Sequence, residues 1–300
     1  MQYIDGIENY RDTARTVVTF GKFDGLHKGH QKLINKVQEL AAINNLKSIV
    51  CYFDMNRKDI LMTKEDRQYR LEGQVDYLVR GVFTDAFRRM SAEDFIRVIV
   101  KDRFNADYVV VGADFHFGYG KTGDRRKLNY YSDRYEYKPI ILYKECYGEH
   151  SISSTYVKDN IRKGNIRLAN VMLGYNFGIT GVIKPGTQLG RMLECPTFNL
   201  EWPVNKIMPP KGVYFTRTMI DGIWYNGVSD IGTKPTVSDE SEIVVKTHLF
   251  GYSGNAYGKT VRLELLQFHR EEIKFPNIAE LKECVAYDIL YAKRFFERTV

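Results

Sequence analysis

Thr16–His30 reads TVVTFGKFDGLHKGH, an apolar β-branched run leading straight into a glycine-punctuated turn with two histidines three residues apart. TVVTF (Thr16–Phe20) has the character of a buried strand. The next ten residues, GKFDGLHKGH (Gly21–His30), contain glycines that let the backbone turn tightly and approach a bound phosphate. Lys32–Ile43 (KLINKVQELAAI) then carries apolar residues at 33, 34, 37, 40 and 41, the spacing of a helix. A helix that begins just after such a turn presents free N–H groups and a partial positive charge to an anion. His27 and His30 can both face one phosphate chain and stabilise charge that develops on it.

Outward from this point, short apolar runs alternate with helical patterns. SIVCYF (Ser48–Phe53), DYLV (Asp76–Val79), YVVV (Tyr108–Val111) and PIILY (Pro139–Tyr143) read as further strands, and Ala92–Val100 as a helix. This alternation predicts a parallel α/β sheet with right-handed crossovers. Past residue 177 the pattern changes. Gly212–Met219, Gly222–Val228, Ile243–Phe250 and Thr260–Phe268 are β-rich and separated by Gly, Pro, Asn or Asp, which predicts an antiparallel barrel or sandwich. A closing helix starts at Asn277, with Glu280 three residues on and Leu281, Val285, Ile289 and Phe296 recurring on one face. A helix at IRLANVMLG precedes the change, so two domains are expected, 1–175 and 176–300.

Three hundred residues with 44% hydrophobic and 27% charged side chains suit two folded cores and exclude a disordered or collagen-like chain. No apolar run reaches the 18 or so residues that a membrane span needs, and the first dozen residues carry no secretory pattern. Cys51, Cys146, Cys195 and Cys284 lie far apart without metal-ligand spacing, which fits reduced thiols and a cytoplasmic location. The 44 basic against 37 acidic residues leave a net charge of +7. That field favours polyanions; because the basic residues form only short groups, it points to small phosphorylated substrates rather than to nucleic acid. Nothing in the sequence gives an oligomeric state.

GKFDGLHKGH resembles the HxGH signature of nucleotidyltransferases. VVGADFHFGYGKTGD (Val110–Asp124), SISSTYVKDNIRKGNIRLANVMLG (Ser151–Gly174) and the stretch from LMTKEDR through VDYLVRGVFTDAF (Leu61–Phe87) narrow the resemblance to the FMN adenylyltransferase domain of bacterial bifunctional riboflavin kinase/FAD synthetases. The resemblance implies a Rossmann-like N-terminal domain in which ATP and FMN give FAD and pyrophosphate with Mg²⁺. It implies that His27 and His30 are catalytic, and that Gly21, Phe23, Asp24, Gly29, Ser153, Ser154, Thr155 and Lys158 bind ATP. Asp114, Phe115 and Asp124 would bind the flavin. Two departures bear on ATP: FDMNRKD (Phe53–Asp59) lacks the family's Pro-His-Pro segment, and Lys158 replaces an arginine, losing the bidentate fork. His116 also stands where an arginine is common.

The likeness extends through the second half. GVIKPGTQLGRMLECPTFN (Gly181–Asn199) is similar to the opening of the riboflavin kinase domain, whose β-barrel carries a Pro-Thr-x-Asn motif, here Pro196, Thr197 and Asn199. The resemblance implies nucleotide and metal binding at Gly190, Arg191, Thr197 and Asn199; the oxygens of Thr197 and Asn199 suit Mg²⁺ carrying nucleotide phosphates. In VVKTHL (Val244–Leu249), Lys246 occupies the family's glutamate position, where that residue acts as base on the ribityl hydroxyl. An ammonium cannot accept that proton. Glu242 is about 13 Å along the strand, and Glu264 lies on a strand the sequence cannot place; Asp230 stands where asparagine is common. An FAD synthetase with an impaired kinase is therefore expected. A fully bifunctional enzyme with another base, and a non-catalytic flavin or nucleotide sensor, are the alternatives.

Overall fold

Six parallel strands build the first sheet: β1 (Gln2–Asp5), β2 (Thr16–Gly21), β3 (Lys47–Phe53), β4 (Tyr77–Gly81), β5 (Ala106–Gly112) and β6 (Lys138–Leu142). They belong to a computed structural model that describes residues 1–53, 58–184, 197–233 and 242–298. The chain divides by packing into two units, Met1–Ser154 and Thr155–Val300.

In the first unit the strand order is β1-β4-β3-β2-β5-β6. From β2 the chain steps outward through β3 and β4, then returns to lay β5 against the other side of β2. The order therefore reverses between β2 and β5, and in such sheets ligands bind in the crevice beyond the carboxyl ends of the strands at that reversal. Alternate residues of β2 face opposite ways. Val18 and Phe20 enter one core with Ile49, Cys51, Phe95, Ile96 and Phe104. Val17 enters the other with Val110 and with Val37 and Ala41 of helix α1 (Lys28–Asn44).

All five strands expected here are present within one or two residues of their sequence limits. The edge strand β1 was not legible, because four residues with a single buried side chain make no apolar run. Helix α2 (Lys64–Leu71) opens with a capping box in which Thr63 and Asp66 exchange hydrogen bonds, 3.2 Å each way. Helix α3 (Asp85–Arg89) follows a Thr84 cap. The helix expected at Ala92–Val100 begins as α4 (Ala92–Asp94) and continues with π-helical pairing over Phe95–Arg103. Helix α5 (Arg125–Tyr130) is followed after β6 by the small hairpin β7 (Cys146–Tyr147) and β8 (His150–Ser151).

The second unit opens with α6 (Ser154–Arg162), whose first residue closes the first unit, and α7 (Ile166–Leu173), which ends on left-handed Gly174 (φ 73°). Its sheet is antiparallel: β9 (Gly178–Val182), β10 (Thr197–Glu201), β11 (Gly212–Ile220), β12 (Ile223–Thr233), β13 (Ile243–Leu249) and β14 (Thr260–Glu271), in the order β10-β13-β12-β11-β14-β9. Lys184, just past β9, pairs with Asn199 of β10 through N–H···O bonds, which brings the two outer strands together into a near-closed barrel. Asp221 (φ 50°) and Gly222 (φ 82°) form the two-residue turn between β11 and β12, the dipeptide such a hairpin selects. Helix α8 (Ile278–Glu297) is capped by Asn277, whose side-chain oxygen accepts from Glu280 N–H at 2.9 Å. The face expected to be apolar is only half-buried; Asp288 and Ala292 are its fully covered residues.

Candidate active site

The signature turn leaves β2 at Gly21 and reaches α1 through three backbone inversions within four residues. Phe23 (φ 46°), Gly25 (φ 87°) and Leu26 (φ 40°) all take positive φ, which non-glycine residues adopt at a cost. The turn is held open by its neighbours. Asp24 Oδ1 accepts from Leu61 N–H at 2.7 Å, Ser154 Oγ donates to the Asp24 carbonyl at 2.8 Å, and Gln31 Nε2 donates to the Leu26 carbonyl at 2.8 Å. A Cβ at Gly25 would lie 2.5 Å from Leu61 Cδ1, and one at Gly29 3.2 Å from His27 Nδ1.

His27 is the N-cap residue of α1, and no side chain caps that helix start. One turn on, the His30 ring stacks on it with centroids 3.7 Å apart and planes 20° apart, while Phe23 closes from the side at 5.0 Å. His27 is 6% exposed, and the Nδ1 atoms of both histidines are buried without a hydrogen-bond partner among the described residues. Burial pushes His27 down to about 4, partly opposed by Asp24. Burial, with the charges of His27 and Arg67 beside it, holds His30 well below the usual histidine range. Both rings are thus neutral at pH 7. Each neutral ring keeps one N–H donor and one lone pair.

Other expected residues gather at the same strand ends. Asp114 and Phe115 follow β5 directly, and Lys144 follows β6. Lys144 Nζ pairs with Asp114 Oδ2 at 2.9 Å and adds to the positive potential felt by His27. Phe115 stacks between Phe20 (6.2 Å) and Phe117 (5.6 Å). The Asp124 carboxylate accepts from the N–H groups of Arg126 and Lys127, 3.0 Å each, as the cap of α5. Ser153 lies just before α6, while Thr155 and Lys158 are on that helix in the second unit. Two cations escaped the sequence reading: Lys144, and Arg67 on α2. Their only sequence signal was a position just past a strand or just past a threonine cap.

In the second unit, Thr197 and Asn199 point to the same side of β10, with buried Phe198 between them pointing inward. Thr197 lies opposite His248, and Asn199 opposite Lys246. Lys246 in turn lies opposite Asp230 on β12. Directly opposed residues share a face of the sheet, so Asn199, Lys246 and Asp230 form a row across three strands. Burial raises the Asp230 carboxyl above its ordinary value against the pull of Lys246, and Glu272 raises it further. Glu264 is elsewhere. It sits on β14 opposite Arg217 and Gly178, where its carboxylate takes hydrogen bonds from Arg217 (2.9 Å), Arg262 (3.0 Å) and Asn176 (3.0 Å). Gly190 and Arg191, like Pro196 and part of FDMNRKD, lie outside the described residues.

A parallel sheet with a neutral histidine pair at its reversal point, followed by a near-closed antiparallel barrel, defines a two-part protein of nucleotide-binding class. The family model "FAD synthetase" matches residues 9–156, and "Riboflavin kinase" matches residues 173–296. A bifunctional riboflavin kinase/FMN adenylyltransferase of Escherichia coli K12 is 31% identical, covering 100% of this chain and 99% of its own length. That of Bacillus subtilis 168 is 31% identical over 95% and 94% of the two chains. The chain belongs to the family of bifunctional riboflavin kinase/FMN adenylyltransferases. Among solved structures, one described as a macrolide-efflux protein from Streptococcus pneumoniae superposes with a TM-score of 0.86 at 26% identity, covering 95% of this chain and 97% of its own. No helix among the described residues is long and apolar enough to cross a membrane.

Proposed function

We propose that this protein transfers the adenylyl group of ATP to the phosphate of FMN, giving FAD and pyrophosphate, and that its riboflavin kinase-like part is severely weakened. A phosphate oxygen of FMN forms the new bond to the α-phosphorus. The bond from that phosphorus to the bridging oxygen breaks, and its electron pair leaves with pyrophosphate. The observation that carries the adenylyl reading is the stacked, neutral His27–His30 pair at an uncapped helix start. Their N–H groups would hold the phosphate chain and stabilise charge on the leaving group. Asp24 and the glycines shape the loop, and Asp114 and Phe115 stand where the flavin would enter. Asp124, engaged as a helix cap, would act by placing the segment before it. The roles of Ser153, Thr155 and Lys158 rest on the resemblance.

We assign residues 1–175 to adenylyl transfer and 176–300 to the kinase-like part. In the latter a hydroxyl and an amide oxygen, Thr197 and Asn199, fit a hard cation whose anionic ligands come from the nucleotide. Mg²⁺ there would neutralise phosphate charge. The weakening rests on Lys246, directly opposite Asn199, an ammonium where the reaction needs a proton acceptor. One observation favours the fully bifunctional alternative: the Asp230 carboxylate, raised by burial, lies opposite Lys246 on the adjacent strand.

Chromatographic product analysis with ATP and Mg²⁺, run in parallel on riboflavin and on FMN, tests both parts. FAD from FMN and no product from riboflavin is expected, with Lys246→Glu raising riboflavin phosphorylation by about 100-fold or more. Products from both substrates, lost in Asp230→Asn, would assign the base to Asp230. No product from either, with tight flavin binding, would identify a sensor.

A further inference from the structure

Arg67 is a charged side chain that the reading above leaves without work. It projects from α2 and is 7% exposed. Its guanidinium carbon lies 4.0 Å from the centre of the Tyr52 ring at the end of β3, and its Nε is buried with no hydrogen-bond partner among the described residues. No carboxylate among the described residues pairs with it. Burying a guanidinium without a counter-charge is costly, and a protein keeps such a group where an anion arrives to complete it. The surroundings say where that anion sits. Leu61, close before α2, donates its N–H to Asp24 in the signature turn, so α2 is tied to the loop that carries His27 and His30. Arg67 is near enough to His30 for its charge to be felt there.

We propose that Arg67 is a further phosphate-binding residue of the adenylyl-transfer site, the fixed cation that pairs with the triphosphate of ATP beside His27 and His30. The assignment rests on the adenylyl reading for the identity of the ligand, and on its own geometry for the residue. A neutral histidine pair supplies hydrogen-bond donors but no full positive charge; Arg67 supplies that charge from the α2 side. Rigid stacking on Tyr52 holds the guanidinium in place before the ligand arrives, so little ordering is left to do on binding.

The test uses the whole protein and Mg²⁺-inorganic tripolyphosphate as the probe, with binding followed by calorimetry and FAD formation by chromatography. Arg67→Gln keeps a planar polar group against Tyr52 and removes the charge. It should weaken tripolyphosphate binding by about 10- to 100-fold and raise the KM for ATP similarly, while the KM for FMN stays within about twofold. Arg67→Lys should recover part of the loss. Because the buried charge has no carboxylate partner among the described residues, Arg67→Gln should also unfold at the same temperature as the parent or a higher one. Unchanged tripolyphosphate binding together with a lower unfolding temperature would overturn the proposal and leave Arg67 a packing residue. If the parent makes no FAD yet binds tripolyphosphate through Arg67, this assignment holds and the adenylyl reading falls. Arg67→Met is the second variant should Arg67→Gln fail to fold, with the same expected loss and the same overturning result.

Discussion

The two histidines of the signature are held uncharged by their burial, and that has a cost at low pH. His27 titrates near 4 in the folded chain against about 6.5 when unfolded, so between those values the unfolded chain binds more protons. Folding stability is therefore full above pH 6.5 and falls as the pH drops toward 4. His27 alone contributes about 3 kcal/mol to that loss. Urea unfolding at pH 7, 6 and 5 should show the decline, and His27→Gln should flatten it. Gly25 is the second position where a single side chain matters. Its φ of 87° and the 2.5 Å approach of Leu61 mean that Gly25→Ala must strain the backbone and displace Leu61. A loss of about 2 kcal/mol is expected, seen as a lower unfolding temperature, together with slower FAD formation. Both residues were legible as a motif. Their neutrality and crowding were not, because these depend on what the rest of the chain packs against them.

Elements were most legible where local chemistry and burial agree. β2, β3 and β5 are apolar along nearly their whole length because both faces of the sheet are covered, and each read as an unbroken run. α8 shows the opposite balance. Its cap was readable from Asn277 and Glu280, whereas its expected apolar face is only partly covered. The cap should therefore carry a measurable share of its stability: Asn277→Ala is expected to cost about 1 kcal/mol by chemical denaturation. The edge strand β1 and the π-helical stretch at Phe95–Arg103 had no local signal, since pairing with β4 defines the first and backbone hydrogen-bond geometry the second.

At the scale of the whole molecule, the two units have separate means of support. The second is braced by Glu264, whose carboxylate burial alone would raise but which hydrogen bonds from Arg217, Arg262 and Asn176 hold low. Glu264→Gln leaves two guanidinium groups short of their counter-charge and should cost the second unit about 3 kcal/mol. FAD formation from FMN should persist at temperatures where the second unit remains folded, and calorimetry with activity on the same sample checks both. The same placement sets Glu264 on β14, away from Lys246 on β13, a question that residue numbers alone had left open. It brings forward Asp230, which register sets opposite Lys246.

By itself the sequence determined the two folding patterns and the glycine-histidine signature between β2 and α1, because each is written in neighbouring residues and in the periods of strand and helix. Only the tertiary structure decided that β5 returns beside β2, that His27 and His30 are buried and neutral, that Arg67 is buried with no carboxylate partner among the described residues, and that Asp230 faces Lys246. Those facts depend on strand order, register and desolvation. Such properties arise when segments distant in the chain are brought into contact, and no local pattern encodes them.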